Sequence, residues 1–320
     1  MTAWNVLVEN ALQAVSAGLT LGALYGLMCV GLALIFSVMR VINFAQGELL
    51  TAGMYASLFL FAPLGLGGFL GPYAGPVVAA LLGGAIVFLL GIALYQTLLR
   101  HVSGTKAARM EGEGHSAQLT LTLGVSLILS NGGLLLFGSS PRSLRTPMSS
   151  NAWELQPIPG VDITVFVNQA RAVGALVAAA VTVAAVLFVA RSRQGKTMRA
   201  ASDNAEAATY MGIDVGRSYR LAFGLGAGIT AIAGGLVASF LPFQPYTGIE
   251  FIMVMYAGVV LGGMGSVGGA FLGGMVIGLV QQVSTLFLPQ QLQNTAVFVI
   301  FLLVILVRPQ GLFGRTVERV

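Results

Sequence analysis

Apolar residues run through this chain in long unbroken stretches, and polar residues are confined to the intervals between them. The stretches cover about residues 18–39, 44–61, 74–99, 117–137, 170–190, 220–241, 250–264, 268–288 and 294–307. Most reach the roughly 20 residues a helix needs to cross a hydrocarbon core. The pattern predicts an all-α fold, a polytopic transmembrane helical bundle with eight or nine spans, some broken by glycine-rich segments. Residues 4–17 are weakly amphipathic and either lie at the interface or extend the first span. The 250–264 run is too short to cross upright, since about 15 residues at 1.5 Å each span roughly 23 Å against a core of about 30 Å. The glycines of Gly262-Gly263-Met264-Gly265 suit it to being a half-helix.

Composition agrees. The 320 residues are 56% hydrophobic and 8% charged, against about 25% charged in soluble domains, and the mean hydropathy is +0.88. No block is polar enough for a second, soluble domain, so residues 1–320 read as one transmembrane unit. The net charge of +5 does not imply nucleic acid, because basic residues in such a chain mark cytoplasmic loops and anionic headgroups. The single cysteine, Cys29, rules out an internal disulfide and any cysteine-based metal site. The first eight residues carry no basic region of the kind a signal peptide needs.

The basic residues set the orientation. Three lie in 100–115, six in 191–220 and three in 308–320; with Arg40 these make 13 of the 16, leaving Arg142, Arg145 and Arg171 opposite. The rich side is expected to be cytoplasmic. The 138–169 loop is then external, and Trp153 in it is placed to sit at an interface or meet a partner. An odd number of crossings puts the N-terminus outside and an even number inside.

Glycines recur four apart at Gly18, Gly22 and Gly26, at Gly265, Gly269 and Gly273, and at Gly274 and Gly278. Small residues at this spacing let helices approach closely in lipid, either within the chain or against a second subunit. A short internal echo links Gly47-Glu48 and Met54-Tyr55-Ala56 with Glu250 and Met255-Tyr256-Ala257, as transporters with repeated halves often show.

Three apparent motifs fail on context. Gly195-Lys196-Thr197 lacks the earlier glycine of a phosphate loop, where Ala190 stands, and follows an apolar run, so the chain is not expected to hydrolyse ATP or to be an enzyme. The Gly226–Ala231 stretch has glycines inside a span, without the strand and helix of a dinucleotide fold. His101 and His115 lack metal-ligand spacing.

Ionisable groups within membrane segments are costly and usually functional. Glu48 and Glu250 qualify, each beside a helix break, after Asn43-Phe44-Ala45-Gln46-Gly47 and after Pro245-Tyr246-Thr247-Gly248. Either they sit at an aqueous boundary and cap a helix start, or with Asn43 and Gln46 they orient helix ends along a substrate path. Tyr55 and Tyr256 of the echo join the candidate path, as does Asn131. Gln118, Thr120, Thr122, Ser126 and Ser130 share the Asn131 span and either wet a cavity or bond to their own helix.

The longest polar interval is 191–220, which holds a short helical pattern. Asp203 is placed to cap it with Glu206 closing a capping box, and Gly212 to end it in the left-handed region. Between them Ala207, Ala208 and Met211 form a small apolar knob. A two-turn helix is marginal alone and must dock against something.

Several of these stretches resemble one family. Val41–Glu48 resembles the Asn-Phe-Ala-His-Gly-Glu signature of permeases of branched-chain amino-acid ABC transporters. Arg199–Asn204 through Met211-Gly212-Ile213 is similar to that family's coupling loop, Leu261–Gly269 to its late glycine-rich segment, and Pro309–Gly314 to its tail. The match runs in order from about Gly18 to Gly314. Gln46 departs from it, standing where the family usually has histidine. The resemblance implies a bacterial inner-membrane permease whose partners are a second related permease, two ATP-binding subunits carrying ATP and magnesium, and a periplasmic binding protein. It implies that Asp203, Asn204, Glu206, Ala207, Ala208, Met211 and Gly212 couple the ATPases to the path. Members carry urea, short amides and various amino acids, so the substrate stays open. A secondary transporter or channel working without an ATPase is the alternative.

Overall fold

The computed structural model describes residues 3–102, 113–156 and 163–314. The basic residues Lys106, Arg109, Arg315 and Arg319 lie outside them. Helix α1 (Ala3–Met39) absorbs the amphipathic start into one continuous rod, so residues 4–17 extend the first span. Then come α2 (Gln46–Phe61) and α3 (Leu66–Thr97), the latter kinked at Gly71, where φ is +77° and Pro72 follows. Proline suits the first turn of the restarted helix because its missing N–H has no partner there anyway. Helix α4 (Glu113–Phe137) leads to a polar excursion with a helical turn Pro147–Ser150 and two strands, β1 (Ala152–Leu155) and β2 (Val165–Asn168).

The strands pair antiparallel, Ala152 opposite Asn168 and Leu155 opposite Val165. This small ladder and an isolated antiparallel bridge between Arg142 and Phe243 are the departures from all-α structure among the described residues, and the ladder leaves Trp153 46% exposed. Helix α5 (Gln169–Arg191) is followed by α6 (Arg193–Asp203), α7 (Ala205–Tyr210) and α8 (Val215–Val237). The chain closes with α9 (Thr247–Gly262), α10 (Val267–Ser284) and α11 (Gln293–Val307).

Among the described residues six helices are long and apolar enough to cross a membrane, fewer than the eight or nine spans expected from the runs. The difference lies in α2, α9 and α11, which have 16, 16 and 15 residues. The run at 44–61 loses its first residues to a turn, because Arg40 adopts φ +53° and α2 starts only at Gln46. The short run at 250–264 is a helix broken by glycine, as expected: α9 stops at Gly262, and Gly263 and Gly265 follow with φ of +99° and +119°.

The middle of α1 is the centre of the molecule, with Leu24, Leu27, Met28, Val30 and Ala33 all at 0% exposure. Its neighbours are α10 and α8, and the contacts are backbone on backbone. Side chains built on Gly22 and Gly278 would run into Met275 and into Gly22 itself, respectively. The glycine rows at Gly18, Gly22, Gly26, Gly274 and Gly278 therefore pack within the chain. Gly31 of α1 meets Gly226 and Thr230 of α8, while Ile35 meets Gly226, so these two helices run antiparallel.

The sequence echo is a structural repeat. Helix α2 spans 46–61 and α9 spans 247–262, the same length at an offset of 201 (247 − 46 = 262 − 61 = 201). Met54-Tyr55-Ala56 and Met255-Tyr256-Ala257 share that offset (255 − 54 = 201). Each unit of three, α1–α2–α3 and α8–α9–α10, packs its first helix on the third helix of the other. Because α1 and α8 are antiparallel, the units are inverted, an arrangement that places two short helices face to face at the centre.

This packing generates a prediction. Gly22→Leu drives a side chain into the α10 backbone and is expected to destabilise the protein by about 1–3 kcal/mol or more. Gly124→Leu on α4, where nothing lies within 4 Å of an added Cβ, is expected to leave it unchanged. Thermal unfolding of the detergent-solubilised chain, followed by gel filtration of the surviving fraction, reads the difference.

Candidate functional site

The turn between α1 and α2 buries Val41, Asn43 and Ala45 in the bundle while Ile42 and Phe44 stay exposed, and unmet backbone groups on the buried side are expensive. Side chains satisfy them. The Asn43 Oδ1 accepts the Ala45 N–H at 3.1 Å, and Asn43 Nδ2 donates to Gln46 Oε1 at 2.9 Å. Gln46 Nε2 donates to the Gly226 carbonyl at 3.2 Å and to the Thr230 hydroxyl. Asn43, Gln46 and Thr230 are all at 0% exposure. The two amides brace the break against α8 and do not line open space. Gln46 both donates and accepts here.

One residue on, Gly47 of α2 faces Gly248 of α9 so closely that a Cβ on either would collide with the other's carbonyl. The two helix starts cross at this point. Glu48 follows on α2 at 3% exposure, with the Ser126 hydroxyl of α4 as its polar neighbour. It is buried and does not snorkel to a boundary. Glu48, Thr51 and Tyr55 line a cleft of about 200 Å³ closed by Gly132, Gly133 and Phe137 of the α4 end and by Pro245. Tyr55 stacks on Phe137 at 4.1 Å and meets Phe243 edge-on at 5.0 Å. Its hydroxyl has no partner among the described residues, nor does that of its repeat mate Tyr256, whose ring lies against Phe44. Unpartnered buried hydroxyls cost free energy and are uncommon in packed cores.

The remaining path candidates stand apart from this cleft. Glu250 is exposed in the first turn of α9. Asn131 is exposed on α4, where its Oδ1 accepts from the Tyr246 hydroxyl at 3.3 Å. Ser130 donates back to the Ser126 carbonyl of its own helix, whereas Thr122 donates to the Leu119 carbonyl and also accepts the Phe44 N–H at 3.4 Å, which ties α4 to the break before α2. Among the described residues no group of three or more His, Cys, Asp and Glu side chains converges.

The 191–214 interval folds differently from the sequence expectation in two respects. Asp203 is the last residue of α6 and caps nothing; Asn204 caps α7 by accepting the Ala207 N–H at 2.9 Å, and no capping box with Glu206 forms. The polar interval holds two helices rather than one, because Ser192 starts α6 by accepting the Gly195 N–H. The apolar knob is also turned. Ala208 is 5% exposed and packs with Ala201, Ile213, Val215 and Tyr219. A six-residue helix has one side to bury, and Ala208 is on it. The outward face carries Ala207, Tyr210 and Met211, the last two more than 80% exposed. Sequence reasoning missed Tyr210, although its spacing of three from Ala207 places it on that face.

The end of α7 matches expectation. Gly212 has φ +80°. The Ile213 N–H reaches the Ala208 carbonyl at 2.9 Å and the Gly212 N–H the Thr209 carbonyl at 3.0 Å, a Schellman ending. The pair is tied to the bundle, with Met198 of α6 at 0% exposure and the Ser202 hydroxyl donating to the Ser37 carbonyl of α1.

Interlocked inverted helix units, a buried break with a cleft beside it, and an exposed helix tied to the central span define a multi-pass membrane permease. The profile described as the permease component of branched-chain amino-acid transport systems matches residues 14–307. The chain is 31% identical over 314 residues to the high-affinity branched-chain amino acid transport system permease protein LivH of Escherichia coli K12, covering 97% of both chains. It is 28% identical over 317 residues to the permease BraD of Pseudomonas aeruginosa, covering 98% of this chain and 99% of that one. A probable LivH of Methanocaldococcus jannaschii is 24% identical over 296 residues, 90% of this chain and 88% of that one. No solved structure gives a significant match. The chain belongs to the family of branched-chain amino-acid transport permeases and is an inner-membrane protein.

The network at the break is expected to serve stability more than the cleft does. Gln46→Leu strands the Asn43 amide and the Thr230 hydroxyl, at a cost of about 1–2 kcal/mol. Glu48→Gln keeps shape and is expected to change the unfolding temperature of the solubilised chain much less.

Proposed function

We propose that this chain forms half of the translocation path of a binding-protein-dependent ABC importer for amino acids with apolar side chains. The family match from residue 14 to 307 carries the reading, and the named substrates of LivH and BraD supply the substrate class. The cleft beside α2 suits such a solute: Leu129, Leu136, Phe137 and Pro245 offer apolar walls, and the Glu48 carboxylate offers a partner for an ammonium group. The working unit adds a second related permease, two ATP-binding subunits that hold ATP and magnesium, and a periplasmic binding protein. Glu250 and Asn131, polar and exposed within membrane segments, face water or the second permease rather than lipid.

In this reading α1–α5 and α8–α11 make nine traversals, three of them short, with the N-terminus outside and α6 and α7 in the cytoplasm. The basic residues of 191–220 lie on the cytoplasmic side, as charge asymmetry demands. Closure of the ATPases on ATP pushes on Tyr210 and Met211. The push passes through α6 and the Ser202–Ser37 contact to α1, and from the end of α1 to the break at Asn43–Glu48. Rocking of the inverted units then opens the path to each side in turn.

Met211→Glu puts an unpaired charge into the docking face without touching the Ala208 packing. Burying such a charge costs several kcal/mol, so co-purification of the ATPases is expected to fall more than a hundredfold. Gln194→Glu, exposed on α6 away from that face, is expected to leave it intact. Retained ATPases in the Met211 variant would remove α7 as the coupling element.

Burial of Glu48 is the observation that favours the alternative, a proton-coupled transporter. Proteoliposomes decide between them. On the importer reading, Glu48→Gln lowers binding-protein-dependent uptake at least tenfold with the complex assembled, and wild-type uptake requires ATP. Uptake driven by a pH gradient without ATP would establish the other mechanism.

A further inference from the structure

A second cleft, remote from the first, opens where α3 ends and α8 begins. It has a volume of about 530 Å³ and is lined by Tyr95, Gln96, Arg100, Asp214, Gly216, Arg217 and Arg220. Three guanidiniums converge there against one carboxylate among the described residues, Arg217 and Arg220 from α8 and Arg100 from the 3-10 turn Leu99–His101 just beyond α3. That carboxylate is Asp214, whose Oδ1 is already engaged as the cap of α8, accepting the Arg217 N–H at 2.9 Å. Gly216 belongs to the first turn of α8, whose backbone N–H groups have no partners within the helix and favour an anion. Nothing in the path or the coupling contact uses these arginines.

We propose that this cleft binds the phosphate of an anionic phospholipid headgroup. Guanidinium forks match phosphate oxygens in geometry as well as charge, and basic pockets between membrane helices at the surface suit such headgroups. The volume exceeds what a bare phosphate needs. The lipid source is indicated by α3 itself. Leu82, Ile86 and Leu89 are 44%, 49% and 64% exposed, Ala93 and Gln96 continue outward at the same spacing of three and four residues, and exposed Arg100 follows in the turn just beyond the helix. One face of α3 is therefore apolar through the membrane and ends at the cleft, so acyl chains on that face lead their headgroup to the arginines. A lipid held there clamps α3 to the first turn of α8, directly after the α7 segment.

The test uses the full-length chain in micelles carrying either phosphatidylglycerol or phosphatidylcholine, with bound lipid read by native mass spectrometry. Wild type is expected to retain phosphatidylglycerol in preference to phosphatidylcholine. Arg217→Gln with Arg220→Gln is expected to weaken that retention roughly thirtyfold, at about 1 kcal/mol for each basic residue at an anionic surface. Lysine at both positions should restore most of it. Arg191→Gln with Arg193→Gln removes the same charge elsewhere and should leave retention unchanged. Inorganic phosphate is added in a separate arm. If it displaces phosphatidylglycerol from wild type and stabilises wild type but not the glutamine variant, the site is for soluble phosphate and the lipid assignment is overturned. Equal retention of the two lipids, or equal loss in both double variants, overturns the site itself.

Discussion

In a bilayer the hydrophobic effect does not press helices together, since lipid tails are as apolar as leucine. This protein meets that constraint by bringing backbones into contact. Its longest helix is crossed on two sides by α10 and α8 at glycines, and dispersion across those seams replaces the missing drive. Much else follows from this. The helices that interlock belong to opposite units, so the two units are joined along the central helix, and α2 and α9 are held where their first turns touch.

That crossing explains why polar residues are tolerated at the centre. Two short helices that begin inside the bundle leave free N–H groups and an irregular backbone where water is scarce. Asn43 and Gln46 satisfy part of the need and are consumed in doing so. Glu48 and Tyr55 lie one turn further on, where α4 leaves a cleft instead of packing tightly. Brace and cleft are adjacent but distinct: the first satisfies the backbone of the break, and the second leaves unfilled space beside Glu48. The tail adds a similar closure at the other glycine break, where the Leu312 N–H reaches the Leu261 carbonyl at 2.8 Å and Gly311 packs on Gly263.

The polar interval between α5 and α8 shows the same economy in water. A helix of six residues does not hold itself together, and α7 persists because a cap, a Schellman ending and one buried alanine fix it to α6 and α8. The side that remains exposes Tyr210 and Met211, a large apolar area for a loop at the surface. The Ser202 hydroxyl of α6 bonds to α1, which ties that exposed face to the helix at the centre of the molecule.

The sequence by itself determined the membrane class, the order of most helices, the glycine break near Gly263, the left-handed end at Gly212 and the family, because each depends on local composition or on residues close along the chain. Packing of the glycine rows against α10 rather than a second subunit was open in the sequence, since spacing says that a face is small but not what meets it. Tertiary structure alone decided that Asn43 and Gln46 brace α8 while Glu48 lines a cleft, that Glu250 stands exposed, and that Ala208 faces inward. These assignments turn on which distant helix lies opposite, and Gly226 and Thr230 are some 180 residues from Gln46. The repeat was visible only as a few matching residues because inversion preserves backbone geometry and helix length, whereas the side chains on the two copies meet different neighbours. The capping residue of α7 shifted from Asp203 to Asn204 for a similar reason: both suit the role locally, and docking of Ala208 against Ala201 and Val215 chose the register.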